Sequence, residues 1–202
     1  MTFAGVPVTL PLPGLHNLAN AALALATAES LGVDLAAAAG ALATVTLPPM
    51  RSALVPLGRA LLLNDCYNAN PPSMRAALDV LDALPEGRQR VAVLGGMREL
   101  GAQADALHDD IARRALASRA DLLVGADAMA AAFRRVAPAD PRVLVADEVD
   151  AIWPMLGPRL APDAVVLLKA SRGVRLERLV PPLEAWAGVA APAAGIAGTP
   201  HH

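Results

Sequence analysis

The sequence predicts an α/β fold in which helices cover both faces of a parallel sheet. Five short apolar runs alternate with helical segments, a pattern typical of right-handed βαβ units. The runs are rich in aliphatic residues throughout, as expected for strands buried on both faces. The predicted strands are Ala60–Leu63, Val91–Leu94, Asp121–Val124, Val143–Val145 and Val165–Leu168, and the predicted helices lie near 72–84, 102–118, 127–136, 148–160 and 174–187.

Residues 1–46 follow a different pattern. Residues 6–12 alternate as an edge strand with prolines would. An Ala/Leu-rich helix then runs from Gly14 to Leu31, and a second covers Leu35–Ala43. We therefore expect four parts. They are a largely helical segment at 1–46, a proline-bearing linker at 47–59, the α/β domain at 60–187 and a disordered Ala/Gly/Pro-rich tail at 188–202.

Composition excludes several classes of protein. No apolar run among the 202 residues reaches membrane-spanning length, and the N-terminus lacks the basic start of a secretory signal. A single cysteine excludes an internal disulfide and suits a reducing compartment. The net charge of −2, with acids and bases interspersed, gives no basic stripe for nucleic acid. We expect a soluble, cytoplasmic monomer that binds no nucleic acid and does not enter membranes.

The most informative segment is residues 64–71, which read Asn-Asp-Cys-Tyr-Asn-Ala-Asn-Pro. It follows an apolar strand and precedes a helix for which Asn70 is the expected N-cap and Pro71 the first residue. In open α/β sheets, ligands bind at this edge, where strands end and helices begin. Turn chemistry would explain one polar residue here but not five hydrogen-bonding side chains. The segment therefore favours a ligand site over a plain turn.

Lysine use gives a second indication. Lys169 is the only lysine among seventeen basic residues, and it follows another apolar strand. Lysine is a compact point charge and arginine a planar fork, so a site can require lysine alone. The alternative is that this one lysine has been kept by chance and has no role at a site. A Walker A loop needs Gly-Lys-Ser/Thr, whereas this lysine stands in Lys-Ala-Ser, so the chain contains no P-loop.

Three polar residues fall in the first helix, namely His16, Asn17 and Asn20. Their spacing places them on one helical turn. Asn is unfavourable inside helices, so the side chains could face outward to a ligand such as a purine, or His16 or Asn17 could simply cap the helix. The residues alone leave both alternatives open. Cys66 has no His/Asp arrangement around it in the sequence and is interpreted as a small packed residue.

Taken together, these motifs resemble the Mur ligase family, and within it the branch that adds D-alanyl-D-alanine to UDP-N-acetylmuramoyl-tripeptide. The resemblance extends to about residue 187. The Asp-x-Tyr-Asn-Ala-Asn-Pro form separates this branch from its sister ligases. The motifs that carry it are, in order, Gly14-Leu-His-Asn-Leu-Ala-Asn20, Arg51, Asp65-Cys-Tyr-Asn-Ala-Asn-Pro71, Leu94-Gly-Gly-Met-Arg-Glu-Leu-Gly101, His108, and Lys169-Ala-Ser-Arg-Gly173 with Glu177.

The resemblance implies an ATP-dependent amide ligase with Mg²⁺, whose substrates are UDP-MurNAc-tripeptide and D-Ala-D-Ala. Residues 1–46 would be the end of the central ATP-binding domain, and 60–187 the Rossmann-like C-terminal domain. Most magnesium ligands and the P-loop would lie outside this chain, so we expect the isolated chain to be inactive.

The resemblance also implies residue roles. His16, Asn17 and Asn20 would hold the adenine side of ATP, Arg51 its phosphates and Asp65 its ribose hydroxyls. The residues expected at the dipeptide or the peptidyl end are Tyr67, Asn68, Asn70, Lys169, Ser171 and Arg172.

Besides the missing P-loop and the missing catalytic acids, histidine and modified lysine of the central domain, two departures from the family pattern are visible. Gly96 stands where the family commonly has a carboxylate, and Ala170 where it commonly has glycine, so Ala170 needs a negative φ or accepts strain.

Other functions remain compatible with parts of the sequence. A non-catalytic Rossmann-like module for a nucleotide or peptide would share every feature after residue 50, but leaves Arg51 and the first helix without a purpose. A related ligase acting on folate or another peptide would carry a different motif at 65–71. A structural remnant of a broken gene is the third alternative.

Overall fold

The structure, a computed structural model, describes residues 1–46, 48 and 50–189. Of the tail predicted to be disordered at 188–202, residues 188 and 189 are ordered, since the Val189 N–H donates to the Glu184 carbonyl at 3.0 Å and Val189 packs against the core; the rest of the tail lies outside the described residues. The chain forms a small N-terminal segment followed by a six-stranded α/β unit. Within the described ranges, no helix is both long enough and apolar enough to cross a membrane.

The N-terminal segment contains a short hairpin and two helices. Strands β1 (Thr2–Phe3) and β2 (Val6–Pro7) pair in antiparallel fashion, so the edge strand predicted over 6–12 ends at residue 7. Helices α1 (Leu15–Ser30) and α2 (Leu35–Leu42) follow at the predicted places. They form a core of their own around Val8, Leu25 and Ala39.

The α/β unit contains the five predicted strands and one more. In chain order its elements are β3 (Ala53–Leu57), β4 (Ala60–Asp65), α3 (Pro71–Ala83), β5 (Arg90–Leu94), α4 (Ala104–Leu116), β6 (Leu122–Ala126), α5 (Ala128–Val136), β7 (Val143–Ala146), α6 (Ile152–Leu156), β8 (Val165–Lys169) and α7 (Val180–Trp186). The strand order is β3-β4-β8-β5-β6-β7, and every neighbouring pair is parallel except β3 with β4. The predicted α/β class with a parallel sheet is confirmed.

Strand β3 corrects one sequence prediction. Residues 53–57 were assigned to the linker, but they pair antiparallel with β4 and extend the same sheet. Pro56 made the segment unlike a strand, yet an edge strand tolerates proline because only one of its sides must donate hydrogen bonds to the sheet. The sheet therefore begins at residue 53 rather than 60.

Two hydrophobic layers cover the sheet, one on each face. Successive residues of β5 point to opposite faces of the sheet, so Val91 and Val93 belong to one layer and Ala92 and Leu94 to the other. The first layer includes residues of α6 and α7, and the second includes residues of α3, α4 and α5. This explains why the strands read as continuous apolar runs.

The predicted helices at 148–160 and 174–187 are shorter than expected. Each is divided into 3₁₀ turns and a short α-helix, and the α-helical parts are α6 and α7. Pro181 and Pro182 occupy the first turn of α7, where a missing N–H costs nothing because that donor has no partner within the helix.

The parallel register aligns the strand ends along one edge. Asp65 of β4 is level with Lys169 of β8, which is level with Leu94 of β5, and Leu94 is level with Gly125 of β6. The polar segments after β4, β8 and β5 therefore emerge side by side, and this edge carries the candidate site.

Candidate functional site

Two adjoining cavities at the carboxyl edge contain all eleven residues that the sequence singled out. The first contains the residues predicted from the sequence to hold a nucleotide, is named the nucleotide-side cavity after that prediction, and has a volume of about 270 Å³; the second, the rim cavity, has a volume of about 390 Å³. Asn68 and Asn70 line both. The nucleotide-side cavity is lined by His16, Asn17, Asn20, Arg51, Ser52, Asp65, Tyr67, Asn68, Asn70, Ser73 and Lys169, and the rim cavity by Asn68, Ala69, Asn70, Arg98, Glu99, Leu100, Ser171, Arg172 and Gly173.

A buried ion pair lies at the base of the nucleotide-side cavity. The Lys169 Nζ is 2.7 Å from Asp65 Oδ2 and donates to the carbonyl of Asn68 at 2.7 Å, and Lys169 is only 2 % exposed. An ammonium has three N–H donors, so one remains for a ligand. Asp65 Oδ1 accepts from the Ser52 N–H at 2.8 Å, which ties the start of the domain to the end of β4. Each Asp65 oxygen keeps a lone-pair site for a ligand hydroxyl.

Arg51 and Tyr67 form a stacked pair above this base. The guanidinium carbon of Arg51 lies 4.2 Å from the centroid of the Tyr67 ring, within the range of a cation–π contact. The Tyr67 N–H donates to the carbonyl of Met50 at 3.1 Å, so the backbone before Arg51 is fixed to the segment after β4. Stacking orients the fork of Arg51 while leaving its in-plane N–H donors available to an anion.

The two asparagines of the motif have different local roles. Asn70 caps α3 as predicted, because its side chain accepts from the Ser73 N–H while the Ser73 hydroxyl accepts from the Asn70 N–H. The carbonyl oxygen of the Asn68 side chain accepts from the Ala69 N–H at 2.8 Å. In both residues the side-chain oxygen is engaged, so their amide NH₂ groups are the parts free to donate to a ligand.

The first helix contributes the opposite wall. Helix α1 begins after Gly14, whose φ of 95° favours glycine, and no side chain hydrogen-bonds at its cap. The capping interpretation of His16 and Asn17 is therefore wrong. Asn17 is buried and donates from Nδ2 to the carbonyl of Pro13 at 2.7 Å, while Asn20 is exposed. A role in holding a purine stays a prediction.

Ser171 and Arg172 line the rim cavity. Ser171 is buried, and its Oγ accepts from the Arg98 N–H at 3.0 Å. Arg172 is exposed, and its Nη1 lies 3.1 Å from Glu177 Oε1. Arg98 belongs to the Leu94–Gly101 motif, but no role was predicted for it, because nothing in that motif shows that its side chain lines a cavity with Arg172.

The structure gives a reason for both departures from the family pattern. Ala170 is absent from the described residues with positive φ, so it adopts its conformation without the strain that glycine would relieve. Its Cβ occupies the space that a side chain on Gly95 would need. A side chain on Gly96 would collide with the carboxylate of Asp127. Positions 95 and 96 therefore require glycine because neighbouring side chains occupy the space of a Cβ, and not because their backbone has a positive φ.

Cys66 and His108 have structural contacts rather than catalytic geometry. The Cys66 side chain is fully buried and its thiol contacts Asn64 Oδ1 at 2.9 Å. Burial raises the pKa of the thiol to about 12, and the negative charge of Glu177 adds to the effect. His108 Nε2 accepts from the Met97 N–H at 2.9 Å. In the described part of the chain, no group of three or more His, Cys, Asp or Glu residues is arranged to hold a metal ion.

Residues 50–172 match the family described as the Mur ligase, glutamate ligase domain. The chain therefore belongs to the Mur ligase family. Within that family, the relatives it resembles are the D-alanyl-D-alanine ligases known as MurF. It is 45 % identical over 119 residues to the UDP-N-acetylmuramoyl-tripeptide–D-alanyl-D-alanine ligase of Escherichia coli, a match covering 57 % of this chain and 25 % of that relative.

Solved structures give the same result. MurF from Acinetobacter baumannii aligns with a TM-score of 0.80 at 30 % identity, covering 88 % of this chain and 39 % of that one. The MurF ligase from Thermotoga maritima in complex with ADP aligns with a TM-score of 0.69 at 25 % identity, covering 88 % and 40 %. The chain spans between 23 % and 40 % of the lengths of the curated relatives it matches.

Proposed function

We propose that this chain is the C-terminal part of a cytoplasmic, ATP-dependent ligase that joins D-Ala-D-Ala to UDP-N-acetylmuramoyl-tripeptide in peptidoglycan precursor synthesis. The observation that carries the proposal is the convergence of all eleven predicted residues, drawn from α1, the segment before β3 and the exits of β4 and β8, on two adjoining cavities. The family membership and the D-alanyl-D-alanine ligases among its relatives support the same reaction.

The nucleotide-side cavity suits part of an ATP molecule. Arg51 presents a fork that fits phosphate oxygens, and Asp65 can accept from ribose hydroxyls. His16 and Asn20 would face the adenine. ATP supplies the phosphoryl group that activates the substrate carboxylate as an acyl phosphate. The Mg²⁺ that would balance its charge requires ligands from the remainder of the protein, since the described residues here form no metal cluster.

The rim cavity suits the incoming dipeptide. Asn68 and Asn70 line both cavities, so a dipeptide in the rim cavity would have its amine close to the nucleotide side. The amine nitrogen attacks the carbonyl carbon of the acyl phosphate, the new C–N bond forms, and inorganic phosphate leaves as the nitrogen gives up a proton. In this proposal the residues of this chain position the dipeptide and the third Lys169 N–H stabilises developing negative charge.

Because the chain has no Gly-Lys-Ser/Thr sequence, we expect no ligation by the 202-residue chain alone. The test is a chimera in which this chain replaces the matching part of the Escherichia coli relative, assayed for amide formation with ATP, D-Ala-D-Ala and UDP-MurNAc-tripeptide. We expect activity in the chimera, and a KM for ATP at least about tenfold higher in the Arg51→Gln variant. The matched control is Arg59→Gln, which removes an exposed arginine from the β3–β4 turn.

Two outcomes would contradict the proposal. Ligation by the isolated chain would place the activation step within these residues. A folded but inactive chimera, together with micromolar nucleotide binding by residues 50–189 alone, would instead favour the non-catalytic nucleotide-binding module.

A further inference from the structure

The rim cavity is lined by two arginines that each lie beside a carboxylate, and Arg172 Nη1 also donates to Met50 Sδ at 3.0 Å. Arg98 Nη2 lies 3.0 Å from Asp127 Oδ2, and Arg172 Nη1 lies 3.1 Å from Glu177 Oε1. Both arginine side chains are about half exposed and both line the cavity. Each guanidinium is therefore backed by a carboxylate on its protein side and open on its cavity side.

The two supporting carboxylates share a second property. Among the described residues, the buried side-chain oxygens and nitrogens without a hydrogen-bond partner are Asp127 Oδ2 and Glu177 Oε2. Asp127 Oδ2 is close enough to Arg98 for an ion pair, but no N–H is directed at it. The arginine is held by charge while its N–H donors remain available, because a guanidinium has five of them in a planar fork.

The backbone around Asp127 is shaped to place this carboxylate. Asp127 has φ 54° and ψ −131°, a strained conformation for a residue with a Cβ, and strain of this kind is concentrated at functional sites. The carboxylate extends toward position 96, which is open only because that residue is glycine. The strain at 127 and the missing side chain at 96 together bring a negative charge behind Arg98.

We infer that Arg98 and Arg172 form a carboxylate clamp for the C-terminus of the incoming dipeptide, with Asp127 as the positioning residue of Arg98. This inference rests on the proposed function and adds to it two residues, Arg98 and Asp127. The carboxylate of the dipeptide accepts from the two guanidinium forks. Ser171 accepts from the Arg98 N–H, which fixes the loop that carries the clamp.

The charges around the cavity indicate the kind of ligand. Two arginines face three carboxylates, which are Asp127, Glu177 and the exposed Glu99 at the rim. A polyanion such as a phosphate would need a net positive site, and this rim is not one. A ligand with both signs of charge fits better, since its carboxylate meets the arginines and its ammonium meets no excess of positive charge. A free dipeptide has this distribution.

The test titrates the 202-residue chain with D-Ala-D-Ala and with its C-terminal amide, which lacks the negative charge. Arginine Nε resonances report binding by NMR. We expect the wild-type chain to prefer the free acid, with chemical shift changes at Arg98 and Arg172. Arg98→Gln should weaken binding of the acid by roughly tenfold or more, the loss typical of a hydrogen bond to a charged group. Asp127→Asn should weaken binding of the free acid by a smaller factor, and neither variant should change binding of the amide.

The matched controls are Arg134→Gln and Asp147→Asn. They belong to an ion pair of 2.7 Å between α5 and the exit of β7, and neither residue lines the rim cavity. We expect both controls to bind like the wild type. If the wild-type chain binds the acid and Arg98→Gln binds it equally well, the clamp is wrong while the proposed function stands. If the wild-type chain binds acid and amide alike, or neither, the clamp is also wrong, and the chimera assay separately decides the ligase function.

Discussion

Lys169 connects three pieces of the chain at the carboxyl edge of the sheet. It ends β8, pairs with Asp65 at the end of β4, and donates to the backbone of Asn68 in the following segment. Both contacts are 2.7 Å long, and Lys169 is only 2 % exposed. A guanidinium is larger and planar, and it could not replace a compact ammonium between these two oxygens. The geometry therefore favours a requirement for lysine over chance survival.

The buried thiol of Cys66 should make the free energy of unfolding depend on pH. Burial raises the pKa of its thiol from 9.0 to about 12. Below pH 9 the thiol is protonated in the folded and unfolded chains, and its contribution to stability is complete. Between pH 9 and 12 the unfolded chain loses this proton while the folded chain keeps it. The free energy of unfolding should therefore fall as pH rises, by at most about 1.4 kcal/mol per pH unit.

Urea unfolding between about pH 8 and pH 11 measures this effect, with Cys66→Ala as the comparison. The difference in unfolding free energy between the wild type and Cys66→Ala should shrink as pH rises, since other titrating groups contribute equally to both. A difference that stays constant across this range would show that the thiol titrates normally in the folded chain.

Among the elements, helix α4 holds the loop after β5 through the side chain of His108. His108 lies in α4 and is 2 % exposed, and its Nε2 accepts from the backbone N–H of Met97, next to Arg98. Nδ1 is 2.7 Å from the carbonyl of Ala104 and donates to it. Replacing His108 with alanine leaves the buried Met97 N–H without a partner, which should cost about 2 kcal/mol in unfolding free energy.

The measurement is urea unfolding of His108→Ala beside Arg113→Ala, a change on the exposed face of the same helix. The control should stay within about 0.5 kcal/mol of the wild type. An equal effect of the two substitutions would mean that the contact with Met97 does not hold the loop.

The sequence predicted some of the strands and helices better than others. The five parallel strands were predictable, because strands buried on both faces are apolar throughout. Strand β3 was not, since Pro56 reads as a linker residue and only its edge position makes it compatible with the sheet. The helices predicted after β7 and β8 were too long, because over so few residues the apolar spacing of a 3₁₀ turn is close to that of an α-helix.

At the scale of the whole molecule, the register of the sheet assembles the site. Residues 65 to 70 and 169 to 172 are about a hundred positions apart, but parallel strands bring their exits together, and this could be inferred from the strand pattern. The pairing of Arg98 with Asp127 could not. It depends on an unusual backbone conformation at 127, which leaves no sequence pattern, and on free space at 96. The sequence shows the glycine at 96 but not that the carboxylate of Asp127 fills the space beside it.

The α/β unit should fold without the N-terminal segment. The two hydrophobic layers of the α/β unit use only residues from 50 onward, while the N-terminal core uses only residues 3–42. Residues 50–189 should therefore fold alone, with a melting temperature within about 4 °C of the whole chain, equivalent to roughly 1 kcal/mol. Residues 1–46 should not fold alone, since a segment of this size with three buried core residues cannot offset its conformational entropy.

Thermal unfolding followed by circular dichroism of the whole chain and of the two parts measures this. Removing residues 1–46 also removes three highly exposed leucines, Leu15, Leu23 and Leu31, so residues 50–189 should be less prone to aggregate than the whole chain. Loss of a cooperative transition in residues 50–189 would mean that contacts with α1 stabilise the sheet. A retained transition would show that the α/β unit folds without α1, although His16, Asn17 and Asn20 of α1 line the nucleotide-side cavity.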